Sequence, residues 1–299
     1  MNSPMPDTAR AGSPPTERVV AIVEFLAAES EPSSVASIAT RLELSRSTAT
    51  AILGALERAG WVQRHADLRY SLGAGLYGVA DAVRESMPLS HRFDEALEDL
   101  AQRTECDVSL VLVGASTLTF LAVARGHGQV PAGVRAGVHL PLTAPLGATV
   151  VAHRDRQAQE AWLSTADRGN QRLLNGLLAH IRQTGVAVFG LGDASPGILL
   201  VLTEVAQMLA ERPRRGRLQQ QVYELLAGLA GNPYTATQLA SESELSVSYL
   251  TAPIFSDGRA VYELQLGPME HAVSPAKRAM YVSELQGAAH SLSAPESPS

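Results

Sequence analysis

The sequence predicts an α+β chain in two parts: a small helical unit closed by a hairpin, then a larger domain of strands and helices. Three observations predict it. From Glu17 to Arg58, apolar residues recur at helical spacing in three short runs. From Trp61 to Leu72 the pattern changes to two short extended runs around "HADL". Beyond Asp94, helical runs alternate with strand-like runs such as "DVSLVLVG" and "TLTFLAVARG". The 299 residues suffice for one small and one mid-sized domain.

Residues 1–15 are rich in Pro, Ser and Ala and are expected to form a disordered tail. Thr16 can cap a first helix, "ERVVAIVEFLAAES", whose Val19, Ile22, Val23 and Leu26 share one stripe. "EPSS" breaks it, and Ser34 can cap "VASIATRL". Ser45 or Arg46 opens a third helix with Ala49, Ile52, Leu53 and Leu56 buried, and Gly60 stops it. "WVQR" and "RYSL" then pair across "HADL". Three helices followed by a hairpin make a winged helix-turn-helix, expected over residues 16–73. Residues 74–91 read as a connecting helix with Leu76, Val79, Ala80 and Val83 apolar.

The second domain is expected over 92–291, with a disordered tail over 292–299. "DEALEDLAQRT" is a helix, the next two runs are paired strands, and "VRAGVHLPL" is a strand leading into a turn. Thr143 or Pro145 starts a helix through "LGATVVAHR", and a second ends at Gly185. Residues 198–232 read as two helices broken at "RPRRGR". "ELSVSYLTAPIFSDGRAVYELQLG" reads as a hairpin turning at Asp257-Gly258, which supplies the positive φ angles of a tight turn. Ser274 caps a final helix.

The composition narrows the function. A net charge of −6 argues against a chain coated in nucleic acid but leaves room for one basic face. Cys106 is the single cysteine, which leaves no disulfide framework or cysteine metal cluster and fits a reduced, cytoplasmic compartment. The N-terminus lacks a basic-then-apolar signal layout, and no apolar run reaches membrane-spanning length. The histidines make no HExxH pair. "GLGDASPG" lacks the Gly-Lys-Ser/Thr ending of a phosphate loop, and there is no Gly-x-Ser-x-Gly elbow. No catalytic residue, metal or cofactor is expected.

The third helix shows solvent Arg46, Ser47, Thr48 and Thr50, with Ser45 at its start. A helix that enters a major groove needs short polar side chains there, so that backbone and base edges approach closely. Arginines, hydroxyls and helix N-terminal amides hold phosphates. Arg64, His65 and Arg69 on the wing complete the candidate DNA-binding set. The plainer reading is that the hydroxyls near Ser45 only cap the helix.

In order along the chain, "SIATRLELSRSTATAILGALERAGWVQR…YSLG", "LGAGLYGVADAV", "ALEDLAQRTECDVSLVLV", "LPLTAPLGATVVA" and "YLTAPIFSDGRAVYELQLG" resemble the IclR family of bacterial transcriptional regulators. The resemblance covers most of residues 16–291. It implies a GAF/profilin-like effector domain after the linker helix, with 198–232 as a helical insertion. It also implies a homodimer or tetramer, a double-stranded DNA operator that is near-palindromic, and a small organic effector, a carboxylate being one candidate.

The family's pocket lies near a Thr-Ala-x-Gly turn, which makes Thr143, Ala144, Leu146 and Gly147 candidate effector contacts. A helix opening there would aim free amides at an anion. Ser246 and Ser248 alternate with Leu245, Val247 and Tyr249 and join the candidate set. Arg125, Arg135 and His139 would add positive charge. Departures from the family are Glu43 where glycine is usual, Ala51 where an arginine is frequent, and the insertion. A left-handed Glu43 would cost about 1 kcal/mol relative to glycine. The alternatives are a protein-interaction module using a degenerate winged helix and a small-molecule enzyme.

Overall fold

The computed structural model describes residues 14–29, 31–86, 91–126, 136–191, 205, 221–222, 225 and 231–293. These fall into two compact units, 14–86 and 91–293. The expected inserted pair at 198–232 lies almost wholly outside the described residues, as do "RPRRGR" and Arg135.

The first unit contains helices α1 (Pro14–Ala28), α2 (Val35–Arg41), α3 (Arg46–Arg58) and α4 (Gly75–Ser86). Its strands are β1 (Ser33–Ser34), β2 (Val62–Arg64) and β3 (Arg69–Leu72). Helix α1 starts before Thr16, inside the expected tail, because two prolines with fixed φ suit a first helical turn. Ser34 and Ser45 cap α2 and α3, each accepting a backbone N–H three residues on. Helices α2 and α3 end alike. The N–H of Leu44 reaches Ala39 O and that of Glu43 reaches Thr40 O; the N–H of Trp61 reaches Leu56 O and that of Gly60 reaches Glu57 O. The left-handed residue is Glu43 (φ 46°) in the first and Gly60 (φ 71°) in the second. Ile22, Phe25, Ile38, Leu53, Val62 and Tyr70 form the core. β3 lies between β1 and β2, so β1 braces the hairpin on the β3 side.

The second unit is built on a seven-stranded antiparallel sheet of order β6-β5-β4-β11-β10-β7-β8. Its strands are β4 (Asp107–Val113), β5 (Thr117–Ala124), β6 (His139–Pro141), β7 (Ala187–Gly190), β8 (Asn232–Pro233), β10 (Tyr249–Ser256) and β11 (Arg259–Gly267). β9 (Leu245–Val247) and β12 (Glu270–Val273) form a separate pair. The helices are α5 (His91–Thr104), α6 (Ala148–Val151), α7 (Arg156–Leu163), α8 (Gln171–Thr184), α9 (Ala236–Leu239) and α10 (Pro275–Ser293). One face of the sheet packs Leu110, Leu264 and Leu266 on Leu97 and Leu100 of α5 and Tyr281 and Leu285 of α10. The opposite face meets α6, which also contacts α8.

Several expectations change. The helix expected from Thr143 or Pro145 is only Ala148–Val151, because Ala144–Gly147 form a turn that ends with Gly147 at φ 72°. A separate helix, α7, follows, capped by Asp155. The run from Leu245 to Gly267 is not one hairpin. Ser248 breaks it, since its N–H and hydroxyl both reach Phe189 O, and Leu245–Val247 pair with β12 instead. Helix α10 continues to Ser293, past the expected start of a tail.

Candidate functional site

Helix α3 turns Ala49, Leu53 and Leu56 inward. Its other side leaves Arg46, Ser47, Thr50 and Ala51 exposed, with Thr48 half-buried. At the N-terminus, Ser45 Oγ accepts the Thr48 N–H at 3.0 Å and lies 2.9 Å from Ser47 Oγ and 2.8 Å from Thr48 Oγ1. Thr50 donates its hydroxyl to Arg46 O at 2.8 Å and keeps its lone pairs for other donors. A hydroxyl cluster, an arginine and a helix N-terminus thus share one solvent-facing surface.

The wing is more constrained. The Arg64 guanidinium lies 6.0 Å from the Tyr70 ring. His65 Nε2 lies 2.8 Å from Ser71 Oγ, so the imidazole is tied to the hairpin. Arg69 pairs with Asp67 at 3.5 Å and donates to Pro32 O at 3.3 Å. The chain reverses at His65–Leu68, and exposed Leu68 has φ 64°.

In the second unit the expected effector residues are scattered. Ala144 N–H donates to Thr165 Oγ1 at 2.8 Å, Leu146 N–H to Thr143 O at 2.8 Å, and Leu146 O accepts the Trp162 indole N–H at 2.8 Å. These polar groups of the turn are therefore engaged with α7, with Thr165 just after it, or with each other. Gly147 has a packing reason: a Cβ there would lie 2.5 Å from Leu142 Cδ1. Arg125 sits past the end of β5 and pairs with buried Asp107 at 2.9 Å. His139 is exposed on β6, at one edge of the sheet. Ser246 and Ser248 lie toward the other edge, where Ser246 Oγ accepts the Leu191 N–H and faces Tyr234 Oη at 3.2 Å.

The structure brings together a different set. Glu263 is 2% exposed on β11, facing α6. Its Oε2 accepts the Thr149 hydroxyl at 2.5 Å and the Thr149 N–H at 3.3 Å, while Oε1 accepts Gln265 Nε2 at 2.9 Å. Gln265 Oε1 accepts the Ser109 hydroxyl at 3.3 Å. Thr251 is the cross-strand neighbour of Gln265, and Tyr249 is two residues before it on the same face. The buried hydroxyls of Tyr249 and Thr251 have no hydrogen-bond partner among the described residues. Burial pushes the Glu263 carboxyl up from its ordinary range, against the hydrogen bonds from Thr149 and Gln265. Burial, then the nearby Glu263, pushes the Tyr249 phenol up. The amide at the start of α6 thus already has its acid, supplied from β11.

The profile of the IclR helix-turn-helix domain matches residues 15–66. Over those residues the chain resembles an IclR helix-turn-helix. The chain is also similar in fold to solved IclR-type structures. Thermotoga maritima IclR is 19% identical with a TM-score of 0.59, over 93% of this chain and 96% of that one. An IclR homolog from Microbacterium hydrocarbonoxydans, solved with 4-hydroxybenzoate, is 19% identical with a TM-score of 0.60, over 93% and 97%. Pseudomonas aeruginosa HmgR is 21% identical with a TM-score of 0.54, over 93% and 97%. No curated protein matches the sequence.

Within the IclR fold, α3 and the wing carry the DNA-binding candidates named from sequence. The buried acid cluster is not among the residues the sequence singles out. Its signal is the polar pair Glu263 and Gln265 inside "VYELQLG", which period-2 alternation assigns to solvent on an edge or open-faced strand. β11 is central in the sheet and α6 covers its other face.

Proposed function

We propose that this chain is a DNA-binding transcriptional regulator whose larger unit responds to a small organic effector. The observation that carries the reading is the exposed hydroxyl-and-arginine surface at the start of α3, followed by a braced wing, within the IclR helix-turn-helix. Ser45, Arg46, Ser47, Thr48 and Thr50 face the duplex, and Arg64, His65 and Arg69 flank it. Tyr77 and Val79 stand exposed on α4, where a second copy would cover them. A homodimer then presents two reading helices to half-sites about 34 Å or a multiple apart, on a near-palindromic operator; a tetramer doubles the arrangement. Among the described residues no helix is long and apolar enough to cross a membrane. The reading places the chain in the cytoplasm and assigns it no catalysis.

The effector reading draws on the relative solved with 4-hydroxybenzoate and on the buried polar face around Glu263. Effector and operator must be coupled reciprocally: each changes the other's affinity by the same factor. The test is a gel shift with a fragment from upstream of the gene. Binding is expected to weaken steeply with salt as counterions are released. Arg46→Ala with Arg64→Ala is expected to weaken it and to lower the logarithmic salt slope by about 1 for each phosphate no longer neutralised. An unchanged shift in that variant would remove α3 from the interface.

A further inference from the structure

The wing tip holds an apolar side chain in a conformation that favours glycine. Leu68 N–H donates to His65 O at 3.0 Å, and His65 N–H donates to Arg69 O at 2.8 Å. This is a tight turn followed by one left-handed residue, the position where hairpins of this length usually carry glycine. Leu68 occupies it at φ 64° and is 60% exposed. The residue therefore bears both backbone strain and hydrated apolar surface, and its packing within the chain offsets little of either. The stalk beneath it is stiff: β3 is paired on both sides, His65 is tied to Ser71, and Asp67 accepts the Arg69 N–H and forms an ion pair with its guanidinium at 3.5 Å.

A stiff stalk, an apolar tip and arginines on either side fit one partner chemistry. Arginines neutralise phosphates, while an apolar wedge enters a minor groove and partly unstacks a base step. We propose that Leu68 is a wedge inserted into the minor groove beside the major groove read by α3, so that binding kinks the duplex. This rests on the DNA-binding reading above.

The test uses the full-length chain and duplexes that the wild type recovers from a random pool. Affinity is measured by gel shift, and the bend by energy transfer between labelled duplex ends. Leu68→Gly and Leu68→Asn both suit a left-handed position and lack the wedge. Each is expected to melt at or above the wild-type temperature, to bind about tenfold more weakly, and to bend the duplex less. Wild-type affinity and bend in both variants would overturn the wedge while leaving the regulator reading intact, provided Arg46→Ala still loses binding. Weaker binding with an unaltered bend would also overturn it, as a surface contact without insertion. A wild type that recovers no duplex would overturn both readings together.

Discussion

The exposed face of α3 and the buried face of the sheet carry similar side chains in opposite surroundings. On α3, Ser45, Ser47 and Thr50 lie in water, and their hydrogen bonds, Ser45 with Ser47 and Thr50 with the Arg46 carbonyl, are easily exchanged for others. On the sheet and on α6 above it, Thr251, Tyr249, Glu263 and Thr149 are withdrawn from water, and each polar atom needs a protein partner or a bound molecule. The same chemistry is thus left accessible to solvent in one unit and committed to internal order in the other. Deleting a polar group should affect binding first on α3 and stability first on the sheet.

The largest effect is expected at Glu263. Glu263→Leu leaves the Thr149 hydroxyl and N–H and the Gln265 amide without their acceptor. A stability loss of about 1–3 kcal/mol for each donor stranded in the interior is expected by chemical denaturation. Glu263→Gln keeps the shape and tests the charge. Burial raises the folded-state pKa, so above the ordinary carboxylate range the folded chain still holds a proton that the unfolded chain has released. Stability therefore falls as pH rises through that window. In Glu263→Gln this part of the slope should vanish. A melting profile that keeps the wild-type pH dependence would show that Glu263 is ionised in the interior.

Next in size is Ser45→Ala. It removes the cap of α3 at the 3.0 Å bond to Thr48 N–H, worth about 1 kcal/mol. It also removes the hub of the hydroxyl cluster, so a drop in DNA affinity is expected beyond the change in melting temperature. If affinity is unchanged while stability drops, the hydroxyls serve only the helix and the contrast between the two faces is lost.

The first unit is largely legible in the sequence because its signals are local. Helical and strand periods, caps at Ser34 and Ser45, and a stop at Gly60 each act within a few residues. The hairpin at Asp257-Gly258 and the end of α8 at Gly185 are legible for the same reason. The illegible elements depend on long-range pairing. β1 and β8 are two residues each and exist only by pairing with β3 and β7. β12 exists by pairing with β9 across the break at Ser248. Helix α7 does carry a local signal in Asp155, its cap, directly after the helix expected through Arg154. Glu263 is illegible because a carboxyl on an alternating strand looks solvent-facing until α6 is seen to cover it.

The smallest expected effect concerns Glu43. Helices α2 and α3 close with the same pair of backbone bonds, yet α3 places Gly60 in the left-handed position and α2 places Glu43 there. Glycine at 43 relieves the clash between Cβ and backbone but adds freedom to the unfolded chain, so a net gain of about 0.5–1 kcal/mol is expected. The gain should register as a higher denaturation midpoint. DNA affinity should stay at the wild-type level, because the turn that orients α3 keeps its bonds. Leu68 offers the same exchange on the wing, with the opposite consequence for binding. A Glu43→Gly variant that gained stability but lost DNA affinity would mean that the Glu43 side chain itself touches the partner. The left-handed acid would then be a second feature retained for binding, and the turn would belong to the same surface as α3.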